Sequence, residues 1–101
     1  MYAVELYFSV DAHGLEPGAE IVDASVRRQL DTDRIRLEHV RVRRVGGLVH
    51  VVVFVSAGST AEVRQVAQQV GDGVAADLAH VQFSGFEIWT GERLDTEGVG
   101  P

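Results

Sequence analysis

Residues 35–56 read IRLEHVRVRRVGGLVHVVVFVS. Before Gly46-Gly47 apolar and polar residues alternate imperfectly, and after it comes a β-branched, largely apolar run. Period two is the mark of a strand with one buried face. Two glycines between two strand patterns predict a β-hairpin with a two-residue turn, because both central positions of a type I′ turn need positive φ. That turn sets the register. Val45 falls opposite Leu48, Arg43 opposite His50, Val42 opposite Val51 and Val40 opposite Val53. Ile35 and Leu37 share one phase, whereas Val40 and Val42 share the other. A bulge near Glu38 reconciles them. The hairpin valines, Val45 included, are expected to lie under a helical layer.

The flanks repeat a simple theme. Upstream, Tyr2–Val10 alternates, with Val4, Leu6, Phe8 and Val10 on one side and Ala3, Glu5, Tyr7 and Ser9 on the other. Two glycines and Pro17 make 11–18 a loop. From Ala19 to Leu30, Val22, Val26 and Leu30 recur at helical spacing, with Ala19 and Ile21 alongside. Pro17, Glu20 and Asp23 suit the start of that helix, and Arg27 and Arg28 its end. Asp31-Thr32-Asp33 breaks it. Downstream, Ser59 and Glu62 form a capping box. The helix that follows carries Val63, Val66, Ala67, Val70, Val74 and Leu78 on one stripe. Gly71 and Gly73 weaken it by about 1 kcal/mol each relative to alanine, unless a close packing contact requires them. His80–Thr90 is the last strand. Val81 and Phe83 are out of phase with Phe86 and Ile88, so a bulge is predicted at Ser84-Gly85.

The element order is therefore strand, helix, strand, strand, helix, strand. Two split β-α-β units joined by a tight hairpin predict an α+β, ferredoxin-like βαββαβ sandwich. The sheet has four antiparallel strands in the order 4-1-3-2, with both helices on one face. Residues 1–90 form this single domain, and the glycine-rich 91–101 segment is expected to be a flexible tail. Two helical stripes cover one side of the sheet only.

Composition narrows the function. The 101 residues are 46% hydrophobic and 24% charged, which suits a folded domain and not a disordered chain. Cysteine is absent, which excludes disulfides and thiolate metal sites. No basic and apolar leader opens the chain, and the apolar run Val51–Val55 is far too short to span a bilayer, so a cytoplasmic protein off the membrane is expected. The net charge of −6 repels nucleic acid. The RNA-recognition module shares this topology, but residues 48–54 lack the basic residue, glycines and aromatics that it needs. All nine cations are arginines, and seven lie between Arg27 and Arg44. A GC-rich coding bias accounts for this; a local anion-binding patch that meets an acidic partner is the sharper reading.

The uncovered face of the sheet collects Glu5, Tyr7, His39, Arg41, Arg43, His50, Val52 and Phe54. Trp89 or Phe86 joins them, depending on the bulge. So large an apolar surface in water marks an interaction site. Tyr7, His39, Arg41, Arg43, His50, Val52, Phe54 and Trp89 are its expected contact residues. If the chain is an enzyme, His50, Tyr7, Glu5 and Arg43 supply general acid, base or polarising groups. His39 and His50 stand four residues apart along the hairpin, or about 13 Å, too far to share a metal. No metal or cofactor is expected. Glycine-rich fragments match no phosphate loop, and the serines fit no nucleophile motif.

In element order and apolar open face, residues 2–90 resemble small dimeric ferredoxin-like proteins that pair sheet to sheet. Cofactor-free monooxygenases, cyclases and stress-responsive barrel proteins are among them. The resemblance implies a fold and a manner of pairing, and carries over no functional residue. Three functions follow as expectations. The first is a non-enzymatic module that associates through its sheet, as a homodimer or with another protein. The second is a small cofactor-free enzyme holding a hydrophobic substrate between sheet and helices or between two sheets. The third is a small-molecule sensor using the 11–18 loop.

Overall fold

A computed structural model describes residues 1–11, 18–30 and 35–90. The elements are β1 (Tyr2–Val10), α1 (Ala19–Gln29), β2 (Arg36–Val45), β3 (Leu48–Ser56), α2 (Thr60–Asp77) and β4 (Val81–Thr90). One antiparallel sheet runs β2-β3-β1-β4, the ferredoxin-like order. The expected breaker at 31–33, Pro17 and the 91–101 tail lie outside the described residues.

The hairpin adopts the register set by its glycines, with Val45 opposite Leu48 and Arg43 opposite His50. Gly46 has φ +60, the left-handed value that a side chain resists. Gly47 does not have positive φ, so the expected type I′ turn is corrected to one that needs its glycine at the first central position, as type II′ does. The ladder slips between Leu37 and His39, where the bulge near Glu38 is expected. A second slip skips Ser84, so that Gly85 faces Tyr7 and Phe83 faces Phe8. Gly85 has φ +143, open to glycine and strained for other residues.

These slips put one apolar set under the helices. Val4, Leu6, Phe8, Val40, Val49, Val51, Val53, Val55 and Val81 are buried against Val22, Val26, Leu30, Val63, Val66, Val70 and Val74. Two expectations need correction. Val45 is 52% exposed, not under the helices. The phase that buries Val40 and half-buries Val42 sends the next inward position to Arg44, and Val45 turns out to the open face. Ile21 is 53% exposed, because it sits one residue, or 100°, off the Val22–Val26 stripe.

Helix ends follow their sequence signals. Ser59 Oγ accepts a hydrogen bond from the Glu62 N–H at 3.2 Å, and Glu62 Oε1 accepts one from the Gly58 N–H at 3.2 Å. Both satisfy donors near the helix start that would otherwise lack partners. The helices are tied together by Ser25, which is fully buried and donates to Asp77 Oδ2 at 2.8 Å. Arg28 binds the same oxygen. These two bonds, Ser25 first, hold the Asp77 carboxyl below its usual pKa.

Candidate functional site

The far side of the sheet carries neither helix, since both pack on the core side. The registers lay its residues out as four rows, read from β4 across to β2. The first row is Trp89, Ala3, Phe54 and His39. The second is Glu87, Glu5, Val52 and Arg41, and the third is Gly85, Tyr7, His50 and Arg43. The fourth is Gln82, Ser9, Leu48 and Val45. Alternation along each strand keeps these side chains on one face. The bulge decides between the two aromatic residues of β4: Trp89 lies on the open face, and Phe86 opposite Leu6 packs under the helices.

Tyr7, Trp89, Val52 and Phe54 are half-buried by their neighbours on the flat face, and Leu48 is 49% exposed. The His39 ring lies 6.1 Å from the Phe54 ring. Apolar groups therefore occupy both ends of the face and part of its middle, with charged groups between them.

A polar cluster fills the remaining middle. The Tyr7 hydroxyl lies 2.9 Å from Glu5 Oε1 and 2.5 Å from Glu87 Oε1. His50 meets the Tyr7 ring edge-on at 4.9 Å, and its Nδ1 is 3.8 Å from Glu5 Oε2. Partial burial, then hydrogen bonding to Glu87 and Glu5, then their negative charge, all push the Tyr7 pKa upward. The phenol is thus held as a proton donor and not as a base.

Of the four residues expected to act together, Tyr7, Glu5 and His50 do converge. Arg43 faces His50 in register, but among the described residues it makes no side-chain hydrogen bond or ion pair. Glu87 is the member that sequence reading missed. It sits 80 positions from Tyr7, and its place depends on the β1–β4 register beyond the bulge. The parity change at Ser84-Gly85 is the signal that points to it.

Among the described residues, the cluster lines neither the void under the helices nor an open recess of about 350 Å³ that Ala19, Glu20, Asp23, Arg27 and Val42 form between α1 and β2. The void between sheet and helices measures about 20 Å³ and is lined by apolar side chains such as Leu6, Val53, Val63 and Val70. That is room for about one water molecule, not for a substrate. Among the described residues no three His, Asp or Glu side chains converge as a metal would require. No described helix is long and apolar enough to cross a membrane.

A scan of the sequence against protein-family models finds no match, and a search of curated proteins finds no match either.

Proposed function

We propose that the chain is a small non-enzymatic interaction module that associates with a second copy through the open face of its sheet. The observation that carries this is the bare face itself. Trp89, Phe54, Val52, Leu48 and Val45 share a surface that neither helix covers. Burying such a surface against its like is the standard way to remove it from water.

A cofactor-free enzyme is the second reading, favoured by the convergence of Tyr7, Glu5, Glu87 and His50. Against it, the Tyr7 hydroxyl is engaged by carboxylates of its own chain, and an enclosing wall is missing from the described residues of one protomer. A sensor role would rest on the 11–18 loop, whose residues 12–17 lie outside the described residues.

The deciding measurement is solution mass by light scattering, on wild type and on Val52→Glu/Phe54→Glu. A wild-type dimer that the double substitution turns into a folded monomer is the expected result. A wild-type monomer, or a dimer indifferent to the substitutions, would overturn the proposal.

A further inference from the structure

We infer that the second copy docks with its two-fold axis parallel to the strands, so that the arginines of β2 on each protomer lie over the acidic β1–β4 half of its partner. This rests on the association through the open face proposed above, and adds the orientation and the recognition chemistry.

The face is split by charge. Arg41 and Arg43 stand on β2 at one edge, whereas Glu5 and Glu87 stand on β1 and β4 in the other half. Both arginines are exposed, and among the described residues neither has an ionic partner. Two cations against two anions leave this patch neutral with its histidines uncharged. The chain's net charge of −6 is therefore carried elsewhere, and approach along this face is the least opposed by like charge.

Symmetry then restricts the pairing. A closed face-to-face dimer has its two-fold axis between the sheets. An axis across the strands keeps the strand order and reverses the rows, so β2 lies on β2 and Arg41 meets the partner's Arg43, cation on cation. An axis along the strands reverses the order, so β2-β3-β1-β4 lies on β4-β1-β3-β2. Arg41 then faces the partner's Glu87, and His39 faces the partner's Trp89. Val52 and Phe54 fall beside the axis, where contact with the partner is closest. The roughly 30° offset between aligned twisted sheets preserves these neighbours.

Size makes the charges decisive. Strands of 9 to 10 residues, at about 3.3 Å per residue and about 4.8 Å apart, offer a face of about 600 Å². Two such faces bury about 1,200 Å², the lower end for a specific interface. A patch of that size has little apolar surplus to offset like charges placed opposite each other.

The test compares homodimer dissociation constants for wild type, Arg41→Glu/Arg43→Glu and Glu5→Arg/Glu87→Arg, each alone and the two variants mixed, with fold checked by circular dichroism. With the axis along the strands, each variant alone dimerises at least about 100-fold more weakly than wild type, and the mixture forms a heterodimer. With β2 on β2, the first variant only exchanges one like-charge contact for another and dimerises as tightly as wild type. That result would overturn the inference and leave association through the face standing. Loss of both homodimers without recovery in the mixture would also overturn it. A wild-type monomer would remove the proposed function as well. If Glu5→Arg/Glu87→Arg disturbs the fold, Glu87→Arg alone, at an exposed position, takes its place.

Discussion

Tyr7 has one hydroxyl proton and two carboxylate neighbours. The native environment binds that proton more tightly than water does, since burial and both glutamates raise the phenol pKa above its ordinary 10.0. A group whose pKa is raised on folding contributes stability that is fully present below the unfolded pKa and lost as pH climbs toward the folded one. Wild type should therefore lose stability above about pH 10 relative to Tyr7→Phe, with a constant difference between the two below about pH 9. Urea unfolding from pH 7 to 11 measures this, and equal slopes for both chains would refute it. At this scale the sequence is half legible. Tyr7, Glu5 and His50 come from neighbouring strands whose register the Gly46-Gly47 turn and the β1 alternation suggest. For Glu87 the parity change at Ser84-Gly85 gives the face, but its row beside Glu5 depends on the β1–β4 register, which no local pattern encodes.

The two helical glycines show how elements fix residues. A Cβ on Gly71 would lie 2.2 Å from Phe83 Cζ, and that ring is held between Phe8 at 5.3 Å and Phe86 at 6.4 Å. Gly71 is thus the seat on which α2 meets β4. A Cβ on Gly73 would first meet the Gln29 side chain, Oε1 at 2.2 Å and Cδ at 2.5 Å, whose end can swing aside. Alanine is the better helix former by about 1 kcal/mol at either site, so the two substitutions should diverge in sign. Gly73→Ala should gain up to about 1 kcal/mol, while Gly71→Ala should lose about 1–3 kcal/mol through overpacking. Phe83→Leu should relieve the second. Denaturant midpoints test this, and a stabilised Gly71→Ala would dispose of it. The strands, helices and both bulges were legible because each leaves a change of period or phase. Val45 was misplaced because its apolar side chain argued for the core against its phase, which it shares with Arg41 and Arg43. The reason for Gly71 was out of reach, since the ring it accommodates lies on a different element.

On the scale of the whole molecule, one core serves one side of the sheet, and neither helix covers the other side. If a second copy binds the native state and not the unfolded chain, mass action links stability to concentration. The melting temperature of wild type should rise with protein concentration, and that of Val52→Glu/Phe54→Glu should not. Calorimetry over a hundredfold concentration range would show it, and a flat wild-type series would tell against self-association. The skipped residue at Ser84 bears on how such a chain tolerates change in its gene. Phe86 and Ile88 face inward and Glu87 and Trp89 outward because the ladder passes over Ser84 and does not pair it. Deleting the Ser84 codon would close the ladder with Gly85 still opposite Tyr7 and Phe86 still opposite Leu6, so both sets would keep their faces. A one-residue deletion within an unbroken strand exchanges inside and outside beyond it, whereas here the ladder already passes over the residue that would be lost.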